Sequence, residues 1–339
     1  MSGINDTAYP QFKSEFSAQE LTAMFTPSAV EHDFIAQISG RAITQALIAV
    51  QLKMLQRGGY FVPLDKVPAV LMQHICQHFK TSPFTIATLR QYDKSGSKSV
   101  HQRRLREFVG LRLLDIDGQE WLDREAVKAA LTKQELPDII NILLEELVHR
   151  RYLLPGFDTL SRIARRARVK VNDQIYKQVS GKLSAAQQDM IDRMFRTRQG
   201  RSQWDQLKRE PKQPSVREVA SFLTHIQALR QQAEGLPTVE GIAVSKRTQM
   251  VLEARALNVR EMQDLKPAKR FTLAVLLVHS QLQKAIDDIA DIFIRSVRNM
   301  HNSARERLKQ YQLEHVAEGE ALIAQFREVL TAVEDDGTD

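Results

Sequence analysis

The sequence predicts an all-α protein made of several small helical units, and three observations carry that expectation. First, the 339 residues contain only 14 Gly and 11 Pro, below the usual shares of about 7% and 5%, which disfavours a sandwich or barrel rich in tight turns. Second, apolar residues recur at spacings of three and four, as in Ile43, Leu47, Val50 and Met54, the period of a helix with one buried face. Third, Ser-x-x-Glu or Ser-x-x-Gln stands at Ser17, Ser184 and Ser215, where a serine hydroxyl and a glutamate or glutamine can satisfy the free N–H groups of a helix start. At about 150 residues per domain, the length allows two or three folding units, each large enough to bury a core without disulfides. The single cysteine, Cys76, excludes an intramolecular disulfide framework and fits a reducing compartment.

Taken in order, residues 1–16 lack a sustained period and read as a mobile tail. Ser17 and Glu20 then open a helix, and a longer one over 38–55 is stopped by Arg57-Gly58-Gly59. Pro63 and Pro68 bracket a connection into a helix carrying Val70, Leu71, Ile75 and Phe79. Lys94 to Ser99 reads as a flexible polar loop before a short, basic helix over 101–110. Asp117-Gly118 is the only β signal, a turn joining two short strands. Helices follow over 123–131 and 137–151, with Pro137 acceptable in a first turn. After the break at Pro155-Gly156 come a helix over 159–169 and a second element over 171–179, a helix–break–helix outline.

Further helices are expected at 184–196 and 215–233, separated by a connector at 197–214. Gly235, Pro237 and Gly241 mark a linker. Pro267 then opens a long helix in which Phe271, Val275, Val278, Leu282, Ile286, Ile289, Phe293, Val297 and Met300 keep one face apolar. That stripe extends about 50 Å at 1.5 Å per residue, and it demands another helix or another subunit along its length. The expected organisation is a tail (1–16), a first helical DNA-binding unit (17–133), a second (134–234), a linker (235–242), a long-helix packing or dimerisation region (243–333) and an acidic end (334–339). A homodimer through the 268–300 helix is one expected partner arrangement.

The longest apolar run, Leu273 to Val278, is six residues, whereas a membrane-spanning helix needs roughly twenty. No basic-then-apolar leader opens the chain, so a soluble, cytoplasmic protein is expected. Its net charge is +7, and the distribution says more than the total. Seven Lys or Arg fall between Arg90 and Arg112, seven between Arg150 and Lys170, and seven between Arg193 and Lys212. Glu314 to Asp339 holds eight acidic residues against Arg327 alone. Converging cations bind phosphates by releasing condensed counterions, so a nucleic-acid partner is expected. The groups singled out are Arg90, Lys98, His101, Arg103 and Arg104 in one unit, and Arg162, Arg165, Arg166, Arg168 and Lys170 in the next. Aromatics are sparse near them, which favours duplex backbone contact over single-strand stacking.

Catalytic signatures find no seat. Asp287-Asp288-Ile-Ala-Asp291 matches the DDxxD spacing that gathers oxygen ligands around magnesium, yet no second acidic cluster completes it, and it reads as a charged outer face. His74-x-Cys76-x-His78 has a zinc-compatible spacing without third and fourth ligands nearby. Gly96-Ser-Lys-Ser99 imitates the end of a phosphate-binding loop but lacks its first glycine and preceding strand. No metal, cofactor or catalytic residue is expected in this chain.

Several stretches taken in order resemble the N-terminal part of the Tn-three-type transposases, the large enzymes of replicative, cointegrate-forming transposons. They are Ile43 through Gly58, Val67-Pro-x5-His74-Ile75, Tyr92 followed by His101-x4-Arg106-x3-Gly110, Glu146-Leu-Val-His-Arg-Arg-Tyr-Leu-Leu-Pro155-Gly156, and Leu160-x2-Ile163-Ala164. The resemblance covers nearly all of residues 20–333. It implies a helical region that binds the double-stranded terminal inverted repeats of a transposon, with helix-turn-helix-like units and a bacterial, nucleoid-associated setting. It also implies that cutting and joining use an Asp-Asp-Glu triad and magnesium in a later domain without counterpart here, so this chain is expected to bind rather than catalyse. The alternatives are a helical assembly protein, or a free-standing regulator that competes for transposon ends.

Overall fold

A computed structural model describes residues 3–13, 15–198, 201–212 and 214–335. The protein is all-α. It divides into two compact units, Met1–Ile175 with Glu240–Gln249, and Tyr176–Val239 with Met250–Asp339.

The first unit opens with α1 (Ala18–Phe25), α2 (Ala29–Ile38) and α3 (Ala42–Gly58). Ser17 and Ser28 each accept the backbone N–H three residues on, while Glu20 and Glu31 reach back to close both capping boxes. α3 is buried on every side from Ala46 to Leu55, as a helix surrounded by others must be. Its buried lysine is matched by a buried acid. Lys53 Nζ lies 2.6 Å from Glu31 Oε2, and Gln56 donates to the other oxygen at 2.6 Å. Around α3 pack α4 (Ala69–His78), α5 (Ile86–Asp93) and α6 (Gly96–Val109).

A second core in the same unit joins α7 (Ile116–Thr132), α8 (Leu136–His149) and α9 (Phe157–Ser180). The α8 stripe Leu136, Ile139, Ile140, Leu143, Leu144 and Leu147 meets Leu160, Ile163, Ala164, Ala167 and Val171 of α9. Backbone bonds between Arg112 and residues 151 and 153, and from Leu154 N to Gly59 O, tie the two cores together.

Four expectations change in this unit. The described residues of the first sixteen are pinned by three aromatics: Tyr9 is buried in the second core and donates to Pro155 O at 3.0 Å, while Phe12 and Phe16 lie against the first. Large aromatics, not a helical period, hold that segment. Asp117-Gly118 is no hairpin turn but the first turn of α7, because Asp115 caps it by accepting from Gly118 N at 2.8 Å. A side chain at Gly118 would collide with that carboxylate, 2.9 Å from the added carbon. Lys94–Ser99 is not an open loop, since α6 already begins at Gly96 and Ser95 donates back to Tyr92 O. Finally, α9 runs unbroken through 169–171: neither Gly nor Pro interrupts it, and Val171 continues the buried face.

The second unit contains α10 (Ala185–Met194), α11 (Gln203–Leu207) and α12 (Val216–Ala233). α13 (Val244–Ala256), α14 (Val259–Asp264) and α15 (Pro267–Asp335) follow, with the first turns of α13 belonging to the first unit. Two-residue strands, β1 (Thr197–Arg198) and β2 (Arg201–Ser202), pair antiparallel. The expected connector therefore holds structure, anchored by Trp204, which is fully buried and donates to Leu257 O at 3.0 Å. α15 is 69 residues, about 100 Å. Its first half lies along α12, with Leu273 to Val278 wholly buried, so the expected partner of that stretch comes from the chain itself.

Candidate nucleic-acid interface

α5 and α6 are separated by two residues, Lys94 and Ser95. The first helix is eight residues, the second fourteen, which is a helix, a tight turn and a longer helix. Leu89 and Tyr92 of α5 and His101 and Leu105 of α6 point into the first core. The other side of α6 faces solvent and carries Ser97, Ser99, Val100, Arg103 and Arg104. No side chain caps the start of α6; the Lys98 N–H turns back to Ser95 O at 3.2 Å, which leaves the Gly96 and Ser97 N–H groups to face an anion.

The candidate residues of this unit separate into three kinds. Arg90, Arg103 and Arg104 are exposed and make no ion pair among the described residues. Lys98 is half-buried and bound to Asp93 at 2.7 Å. His101 is buried and stacks on Tyr92, whose hydroxyl lies 2.8 Å from its Nδ1. Burial, and secondarily Arg104, lowers the histidine's pKa, and burial pushes Tyr92 up to about 12. His101 is thus a core residue held against Tyr92, and not the solvent-facing contact expected from its place in the basic window.

α9 presents the second basic surface. Arg162, Arg165, Arg166 and Lys170 are exposed, opposite the buried Leu160–Val171 stripe. Arg162, Arg165 and Lys170 make no ion pair among the described residues, whereas Arg166 lies 3.2 Å from Asp123 Oδ1. Arg168 is half-buried and donates to Gln134 O at 3.3 Å. Below it, Lys246 is fully buried, and its Nζ donates to Gln134 Oε1 and Asn172 Oδ1, each at 2.7 Å. Burial, then the charge of Arg168, lowers the Lys246 pKa to about 8. Gln134 thereby anchors two cations, and Arg168 serves the fold.

Between α7 and α9 lies a groove of about 540 Å³. Val127, Ile163 and Ala167 floor it, and Arg124, Lys128, Arg166 and Lys170 line it beside Asp123. Arg124 and Lys128 escaped the sequence reading because Glu120 and Glu125 neutralise their surroundings in sequence, and both pair with those glutamates. Three of the seven cations of the third basic window are engaged within the second unit. Arg193 pairs with Asp189, Arg209 with Glu218 at 3.0 Å, and Lys208 donates to Leu257 O at 2.7 Å.

His74 bonds Thr26 Oγ1 at 2.8 Å, His78 lies against His32, and Cys76 is buried, which raises its thiol pKa. Asp288 is paired with Lys284 at 2.7 Å. Among the described residues no group of three or more His, Cys, Asp or Glu is placed to hold a metal ion, and no helix is long and apolar enough to cross a membrane.

Residues 1–167 match a family described as a domain of unknown function, DUF4158. The transposase for transposon Tn21 of Escherichia coli is 22% identical over 318 residues, which is 92% of this chain and 31% of that protein. The chain thus spans about a third of the length of the curated relative it matches.

Proposed function

We propose that this chain, whose residues 1–167 match the DUF4158 model and which is similar over most of its length to the transposase for transposon Tn21, binds double-stranded DNA through its first unit, recognising the terminal inverted repeats of a transposon. The observation that carries this reading is the α5–turn–α6 arrangement, with Arg103 and Arg104 exposed and unpaired among the described residues. In a helix-turn-helix, the second helix enters the major groove and its N-terminal residues reach base edges. Ser97, Ser99 and Val100 are small enough for close approach, and a valine suits a thymine methyl group. Arg103 and Arg104 follow on the same face, the residue type that reads guanine through two hydrogen bonds. Arg90 on α5 and the open N–H groups of α6 take phosphates.

On α9, Arg162 and Arg165 supply a second, positioning set of phosphate contacts. Arg166 and Lys170 extend it into the α7–α9 groove. These residues bind and orient DNA; no step of strand cutting or joining is assigned to them.

The test is a gel shift of the chain on transposon-end duplex and on a scrambled duplex across a salt series. The expected result is tighter binding to the end sequence, with affinity falling steeply as salt rises. Equal affinity for both duplexes would remove sequence recognition, and affinity indifferent to salt would remove phosphate binding.

A further inference from the structure

In the second unit, α15 and the start of α12 enclose a groove of about 610 Å³. α15 contributes Ser296, Asn299, Ser303 and Arg307 to one wall, and Ser215 and Val216 stand on the other. At 100° per residue, Ser296, Ser303 and Arg307 fall within an arc of about 40°, sharing one face over about 16 Å. Long side chains on a helix lean toward its N-terminus, which lays Arg307 back over Ser303.

The groove offers donors left over from the fold. Ser215 Oγ caps α12 by accepting from Glu218 N at 3.2 Å. That leaves the Val216 and Arg217 N–H groups without a partner among the described residues, at the positive end of an eighteen-residue helix. Asn299, Ser303 and Arg307 are exposed, and their side chains make no bond among the described residues. Glu218, the acid of that first turn, is paired with Arg209 at 3.0 Å, which holds its pKa low. No carboxylate lines the groove among the described residues.

Ser296 supplies the observation that points to a ligand. It is 6% exposed, it lies at the middle of the lining face, and its hydroxyl has no hydrogen-bond partner among the described residues. Buried polar groups are completed by a partner, and here the fold provides none. A tetrahedral oxyanion has oxygens enough to meet this hydroxyl, the helix N–H groups and the guanidinium from different sides.

We infer that this groove binds a phosphoryl group, a phosphodiester of DNA or a free phosphate ester, independently of the first unit. One full positive charge and one helix terminus match a singly charged phosphate rather than a polyphosphate chain. The Arg307 guanidinium and the Val216 N–H hold the charged oxygens, and Ser296 and Ser303 orient the rest.

Met300 lines the groove, so its methyl resonance, assigned with M300L, reports on the site in methionine-methyl-labelled full chain at low salt. Inorganic phosphate, 5′-deoxyadenylate and transposon-end duplex are titrated separately. Movement with phosphate or deoxyadenylate assigns the groove to free esters, and movement with duplex alone assigns it to the DNA backbone. A methyl that none of the three moves overturns the site. R307Q, on an exposed side chain, and V216P, which removes the N–H at a position where a helix accepts proline, should each weaken the response about tenfold or more. An equal response in both variants overturns the site, because the shift is then a general effect of ions. S296A should weaken binding while thermal unfolding stays level or rises, since the variant removes an unpaired buried hydroxyl. Lower stability with undiminished binding would make Ser296 part of the fold and overturn its place in the site.

Discussion

α6 and α9 are both arginine-bearing helices of one unit, yet they use their charge differently. On α6, Arg103 and Arg104 face solvent without an ion pair among the described residues, on a helix presented by a two-residue turn. On α9, Arg166 is held by Asp123 and Arg168 by Gln134, leaving Arg162, Arg165 and Lys170 uncommitted. A count of cations in sequence rates α9 the stronger site. α9 still keeps three uncommitted cations against two on α6, so it is the geometry that delivers them, and not their number, that favours α6. Local charge density is a poor guide to binding until the partners of each cation are known.

The sharpest way to break this comparison is R103E/R104E. Losing two contacts worth about 1–3 kcal/mol each predicts at least about thirtyfold weaker binding to transposon-end duplex, with loss of preference over scrambled DNA. Both side chains are exposed, so thermal unfolding should be unchanged. Retained preference would move base recognition away from α6.

The next effect concerns what lies beneath α9. Lys246 has a folded pKa of about 8 against an ordinary 10.5, so the folded state sheds its proton before the unfolded state does. Between these values the unfolded chain binds more protons, and stability rises with pH. Below about pH 8 both states are protonated, and the cost of the buried charge is constant. The wild type should gain up to about 3 kcal/mol more than K246M between pH 8 and 10.5, measured by urea unfolding. Parallel curves would mean that Lys246 is solvated as an ordinary lysine.

A smaller loss is expected from R162E/R165E, about tenfold in affinity with a shallower salt dependence. Preference for the end sequence should persist, because phosphate contacts carry position and not sequence. Loss of preference here, with α6 intact, would assign base reading to α9.

How much of this was visible beforehand depends on the kind of interaction. The capping boxes at Ser17 and Ser184 and the break at Pro155-Gly156 are local and appear where the residues place them. The turn between α5 and α6 was hidden because Ser95, Gly96 and Ser97 have loop-like composition, and only the burial of His101 and Leu105 commits them to a helix start. Asp117-Gly118 misled for the converse reason: Asp115, two positions earlier, captures the glycine N–H and turns a hairpin signal into a cap. The pairing of Arg166 with Asp123 spans 43 positions and Lys246 with Gln134 spans 112, contacts that no local pattern encodes.

The smallest predicted effect is also the most discriminating for α9. Asp123 lines the α7–α9 groove and holds Arg166 at 3.2 Å. Both side chains are more than half exposed, so the pair contributes at most about 1 kcal/mol and D123N should leave unfolding nearly unchanged. Removing the acid frees Arg166 and lifts a repulsion against any phosphate entering the groove. Affinity for duplex should therefore rise about two- to threefold at low salt, with the gain fading as salt screens it. R166A should abolish the gain when combined with D123N. If D123N leaves affinity unchanged at low salt, Arg166 and the groove lie outside the interface, and α9 contributes only through Arg162, Arg165 and the uncommitted Lys170.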